Sequence, residues 1–210
     1  MSKRLTYILE KVLDDPNGVK MPKPIILNFD RCLSHVNSLL KSCRILCQQS
    51  CFTSALFLAI TAVEEATKAE IYCFRSKNDS TGKQSKDCLK SHEVKHKIAV
   101  NEDVLLIGKR VQNIIGEDLT KSIYENFVKG KTRELRESCL YFEVKDDKLI
   151  LPEEDVTPQT ALSYILACIE IIDDKIVGWT NYSMDLSPIW DEYFNMVREI
   201  YKNISAHDSK

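Results

Sequence analysis

Ile26, Phe29, Leu33, Val36, Leu40, Cys43 and Cys47 recur at alternating steps of three and four residues. That rhythm predicts a helix over about residues 26–48 with one continuous apolar stripe. Gln48-Gln49-Ser50 breaks it. Phe52, Ala55, Leu56, Ala59, Ala62, Val63 and Ala66 set a second helix over about 52–75, whose alanines admit a close neighbour. Upstream, Leu5, Ile8, Leu9, Val12 and Leu13 predict a short amphipathic helix that Asp15-Pro16-Asn17-Gly18 stops. Pro22 and Pro24 stiffen the link that follows. Residues 76–90 are polar and aperiodic, the pattern of a long loop.

Ser91 is a good N-cap with Glu93 in the first turn behind it. Val100, Val104, Ile107, Val111 and Ile114 predict that one helix runs on to Gly116. A further helical stretch is expected over about 118–138. Leu140–Val144 and Lys148–Leu151, joined through Asp146-Asp147, read as a small hairpin. Thr157-Pro158 starts a helix buried through Ala161, Ile165, Cys168, Ile172, Ile176 and Trp179. Ser187-Pro188 repeats the device ahead of Trp190, Tyr193, Val197 and Ile200. No internal repeat is present.

Composition agrees with a helical chain. Only 6 Gly and 6 Pro occur in 210 residues, too few for a fold of many turns. Hydrophobic residues make up 44% and charged residues 29%, which excludes a disordered chain. The net charge of −2 means that nucleic acid, if bound, must meet a local patch rather than a global field. No run of 18 apolar residues exists to span a membrane. MSKRLTYILEKVLDD carries acids where a secretion signal has its cleavage site, so a cytoplasmic protein with 8 reduced Cys is expected.

Cys43, Cys47 and Cys51 share a helix face and the softness for metal. The first two also continue the Leu33–Leu40 stripe, which favours plain packing. His92-Glu93-Val94-Lys95-His96 matches the H-E-x-x-H zinc-hydrolase pattern, with Glu117 as a third ligand. Lys95 and Lys97 oppose it, being cations beside the proposed metal. The same residues also suit a phosphodiester. Residues 75–97 hold seven Lys or Arg against three acids, and a helix N-terminus at Ser91-His92 offers free N–H groups. There the helix dipole disfavours imidazolium, so His92 is placed to take a proton. The bland alternative is a solvated lysine-rich loop with surface histidines. Glu64 and Lys68 have the spacing of a surface pair, whereas Glu65 is placed to orient a catalytic group. Arg133 and Arg136, one turn apart, offer an anion clamp or ordinary pairing with Glu134 and Glu137.

ALFLAITAVEEATKA (55–69), SHEVKHK (91–97), RELRESCLYFEV (133–144) and the Thr157-Pro158 start, in that order, resemble the AbiV family of abortive-infection proteins within the HEPN superfamily. The resemblance covers roughly residues 30–175. It implies an all-α, HEPN-like up-and-down helical bundle, here with one small β-hairpin, that pairs as a homodimer. It also implies phage defence in which the infected cell is shut down, with translation as the target. Many HEPN proteins are metal-independent ribonucleases that combine an Arg and a His separated by four to six residues, drawn from both protomers. Counting back from His92 and His96, this sequence offers Lys86 and Lys90 in place of Arg.

The resulting expectation divides the chain into an N-terminal helix and linker (1–22), an AbiV-type domain (23–182) and a C-terminal helix packed on it (183–210). His92, His96, Lys95 and Glu65 are the expected catalytic group. Lys86, Lys90, Lys97, Arg133 and Arg136 are the expected RNA or phosphate ligands. No metal or other cofactor is called for. The expected partners are a second copy, RNA or the ribosome, and a phage-encoded activator reached through the 76–90 loop; neither membrane nor DNA is expected. RNA cleavage, inhibition by binding alone and zinc hydrolysis are the readings to separate.

Overall fold

A computed structural model describes residues 23–74, 91–100 and 103–207. The predicted helix within 1–22 and the 76–90 loop therefore lie outside the described residues. The two strongest sequence rhythms give α1 (Lys23–Gln48) and α2 (Phe52–Phe74). Between them Ser50 takes a left-handed φ of 58°. The Cys51 N–H returns to the Leu46 carbonyl at 2.9 Å and the Ser50 N–H to Cys47 at 3.1 Å. That is the Schellman closure, made here without glycine.

The single helix expected from Ser91 to Gly116 is three pieces. α3 (His92–Ala99) is capped by Ser91, whose hydroxyl accepts from the Val94 N–H at 3.4 Å, and it ends where Val100 turns extended. A π-helical segment follows at Asp103–Ile107, then α4 (Gln112–Ile115). Lys109 adopts a φ of 58°, which no continuous α-helix accommodates. The stripe breaks as a result: Val100, Leu105 and Val111 are buried while Ile107 is exposed. Likewise the stretch expected over 118–138 divides into α5 (Glu117–Lys129) and α6 (Thr132–Ser138). Gly130, at φ 75°, is the left-handed cap between them.

The hairpin is present as β1 (Glu143–Lys145) and β2 (Lys148–Ile150), with Val144 opposite Leu149. Asp146 and Asp147 both take positive φ, as a two-residue type I′ turn requires. Two short turns on, α7 (Pro152–Asp155) leads into α8 (Pro158–Ile176), which Thr157 caps through the Thr160 N–H at 3.2 Å. Trp179 lies past the end of α8, its indole N–H on the Lys175 carbonyl at 2.8 Å.

The last helix, α9 (Asn181–His207), starts before Ser187-Pro188 rather than at it. Its cap is Thr180, whose hydroxyl accepts from the Ser183 N–H at 3.1 Å while Ser183 accepts from the Thr180 N–H at 3.0 Å. Ser187 instead donates to Asp173 on α8 at 2.9 Å. Replacing Thr180 with Ala removes one half of this reciprocal pair and is expected to lower stability by about 1 kcal/mol. Urea denaturation would show it, and an unchanged midpoint would refute the assignment.

α1, α2, α8 and α9 pack in a closed circuit around the core, where Leu33, Leu56, Ala59, Ile165, Ile172 and Trp190 are fully buried. α3 and α6 lean together on the outer side of α2. The fold is all-α, with one two-stranded sheet among the described residues. Among the described residues no helix is long and apolar enough to cross a membrane.

Candidate functional site

Glu64 and Glu65 are successive residues of α2, so they point about 100° apart and only one can enter the groove against α3 and α6. It is Glu64, which is 1% exposed. α3 presents His92, Lys95 and His96 to it from one face, at i, i+3 and i+4. α6 presents Thr132 and Arg136 at i and i+4.

Four donors converge on one carboxylate. Oε1 accepts from His96 Nε2 at 2.8 Å and from Arg136 Nη1 at 2.9 Å. Oε2 accepts from His92 Nδ1 at 2.6 Å and from Lys95 Nζ at 3.2 Å. Two donors per oxygen saturate the group. Burial alone would raise its pKa. The His96 hydrogen bond, with the charges of His96, Lys95 and Arg136, outweighs burial and holds the carboxyl at about 2. Glu64 is therefore an anion, and an anionic carboxylate only accepts. Its contacts place a proton on His92 Nδ1 and on His96 Nε2. His96 Nδ1 meets the Thr132 hydroxyl at 2.6 Å, and its ring meets Phe127 edge-on at 6.0 Å.

Exposure separates the members. The side chains of His96 and Lys95 are sealed at 0% and 1%, whereas that of His92 is 41% exposed. With Nδ1 committed to Glu64, His92 Nε2 has no partner among the described residues. Arg136 Nη1 lies 3.4 Å from His92 Nδ1, two donors side by side, and its guanidinium rests near the Phe57 ring at 5.8 Å. Burial holds the His92 pKa below its ordinary 6.5 against the Glu64 hydrogen bond and charge, which pull it up; Lys95 and Arg136 depress it further. The product is a carboxylate-oriented neutral imidazole with its basic nitrogen outward and an arginine beside it.

The other expected residues fall elsewhere. Glu65 is ion-paired with Lys68 and lines a cavity of about 410 Å³ with Asn28, Arg31, Cys32, His35 and Tyr72, whose lining includes neither His92 nor His96. Arg133 is exposed and bound to Glu137 at 2.9 Å, while Arg136 turns to Glu64. Lys97 is partly buried on α3. Lys86, Lys90 and the Glu93 side chain lie outside the described residues. Glu64 and Thr132 are the residues that sequence reasoning missed. The available signal was a carboxylate inside an otherwise apolar alanine-rich helix, with three basic groups spaced on one face of α3 and no counter-charge assigned to them.

Zinc chemistry does not fit this donor set. Both ring nitrogens of His96 are already engaged, Lys95 occupies the shared carboxylate, and Glu117 is exposed on α5. Among the described residues no group of three or more His, Cys, Asp or Glu is arranged to hold a metal ion. Nor do the three cysteines of α1 and its turn converge: Cys43 and Cys47 are buried while Cys51 is exposed. The hydrogen bond with Cys47, aided by burial, pushes the Cys43 thiol well above its ordinary pKa, which makes it unreactive packing.

No curated protein and no solved structure matches the chain. The family model for AbiV proteins of the HEPN type matches residues 28–193, which takes in every described member of the Glu64 cluster. The chain therefore belongs to the AbiV family of HEPN proteins, abortive-infection proteins of antiviral defence.

Proposed function

We propose that this protein shuts down an infected cell by cleaving RNA and so blocking translation, with His92 as the acid–base group. One observation carries the reading: a buried, fully ionised Glu64 holds His92 in the tautomer that turns a free Nε2 toward solvent, beside Arg136. Nε2 takes the proton of a ribose 2′-hydroxyl as that oxygen attacks the phosphorus. Arg136 offers Nη2 to the charge that grows on the phosphorane, its Nη1 being engaged by Glu64 and its Nε sealed inside. Glu64 stabilises the imidazolium that results. The P–O5′ bond then breaks, leaving a 2′,3′-cyclic phosphate. The departing 5′ oxygen takes a proton from the His92 of a second copy, consistent with the pairing of protomers expected of this family. His96 and Lys95, sealed from solvent, serve as positioning groups rather than catalytic ones.

Purified protein acting on total RNA in the presence of EDTA tests this. Cleavage with cyclic-phosphate ends is expected. His92→Ala should lower the rate by at least about 100-fold with little change in unfolding temperature. Since one copy's His92 must be neutral and the other's protonated, the rate should follow a bell, falling at low pH as the base is protonated and at high pH as the acid is lost, with the burial-lowered His92 pKa placing the bell on the acid side of 6.5. Intact RNA under all these conditions would remove catalysis. If translation in vitro were still blocked, inhibition by binding would take its place, a reading favoured by the sealing of Lys95 and His96.

A further inference from the structure

Beyond α6 the chain carries an apolar patch with no cover among the described residues. Tyr141, Phe142, Val144 and Leu149 are 68%, 61%, 62% and 55% exposed. Val144 and Leu149 are cross-strand partners, so their side chains stand on one face of the hairpin. Large apolar side chains left exposed on both faces of one hairpin mark an interaction site. Among the described residues the sheet has two strands, so each also presents an outer edge of backbone N–H and C=O groups, the template for an added strand.

Charge selects what covers it. On the opposite face of the hairpin, where Glu143 stands across from Ile150, is a cavity of about 330 Å³ walled by Tyr141 and Phe142 and by the carboxylates Glu134, Glu137, Glu143 and Asp155, with no lysine or arginine in its lining. Glu137 is paired with Arg133, and Glu143 and Asp155 with Lys145 at 2.8 and 3.8 Å, while Glu134 has no ion-pair partner among the described residues. Residues 134–155 hold eight acids against three bases, the opposite sign to residues 75–97. RNA is repelled by such a surface. A two-fold contact between copies would set one acidic cavity against another.

We propose that the hairpin and this cavity dock an extended, basic and apolar segment of a partner protein. The segment adds a strand to the hairpin edge, covers Tyr141 and Phe142 with its apolar side chains, and sets a lysine or arginine among the four carboxylates. The proposal stands apart from the RNA reading, and the two are tested by different measurements.

The test uses fluorescein-labelled peptides with the whole protein, read by anisotropy at physiological salt. One peptide alternates Lys and Val, a second of equal length alternates Glu and Val, and a single-stranded RNA oligonucleotide is added as competitor. The Lys–Val peptide should bind and the Glu–Val peptide should not. Tyr141→Ser with Phe142→Ser, and separately Glu134→Lys, should each weaken binding at least about tenfold with the helical circular dichroism unchanged. Equal binding of both peptides, or of neither, overturns the proposal, as does displacement of the peptide by RNA. So would light scattering that shows Tyr141→Ser with Phe142→Ser turning a dimer into a monomer, because the occupant would then be a second copy.

Discussion

Glu64→Gln is expected to lower stability by about 3–5 kcal/mol near neutral pH, because it leaves buried cations without their counter-charge. Lys95 and Arg136 both end on this carboxylate, and both are largely buried. The amide that replaces it keeps one acceptor and turns two N–H donors toward groups that are themselves donors. Glu65→Gln, one position along the same helix, breaks only a partly exposed pair with Lys68 and should change stability by less than about 1 kcal/mol. Urea denaturation of the two variants side by side decides between them, and equal small effects would show that the cluster is not an ionic unit.

The pH dependence offers a second measurement of the same group. The folded-state pKa of Glu64 lies at about 2, below its ordinary 4.5, so the folded state binds this proton less readily than the unfolded chain does. The stabilisation is complete above pH 4.5 and is lost as pH falls from there through about 2. A tenfold difference in proton affinity is worth roughly 1.4 kcal/mol, so this group alone should steepen acid unfolding across that window. In Glu64→Gln that part of the acid sensitivity should vanish, whatever other carboxylates contribute.

Which parts were legible from sequence follows from what periodicity can encode. α1, α2 and α8 were foreseen to within a few residues because each buries one long stripe against a neighbouring helix, and a stripe is a sequence pattern. The break at Val100 and the π-helical turn beyond it were not, because Val104 and Ile107 keep helical spacing while the backbone departs from it at Lys109. The start of α9 was misplaced because Ser-Pro is a good helix start in isolation, whereas Ser187 is held by Asp173 from another helix. The site divides in the same way. His92, Lys95, His96 and Arg136 were visible as chemistry. Their hub was not, since choosing Glu64 over Glu65 needs the angle at which α2 meets α3 and α6. That angle is a property of packing between helices, and no local pattern carries it.

The same packing places a second buried ion pair, and its rupture is the other large effect expected. Lys175 on α8 is 0% exposed and donates to Glu70 on α2, itself 2% exposed. It also donates to the Ile98 carbonyl at 3.3 Å, one of the last-turn carbonyls of α3 that lack a partner within their helix. Lys175→Met should lower stability by about 3–5 kcal/mol, since it takes a fully buried cation away from a buried carboxylate. Glu70→Leu combined with Lys175→Met should recover most of that loss, because replacing both partners of a buried pair with apolar groups is often neutral or stabilising. A double-mutant cycle in urea measures the coupling. A loss below about 1 kcal/mol in Lys175→Met alone would show that the pair contributes no more than a surface one. The Ile98 contact adds a consequence that stability does not report. α3 carries His92, and without Lys175 its C-terminal turn loses an anchor to α8. The double variant should therefore regain its unfolding midpoint while its amide protection across residues 95–99 stays below that of the parent chain, as hydrogen exchange would show. Full protection in that variant would mean that the Glu64 cluster and the apolar contacts hold α3 without Lys175.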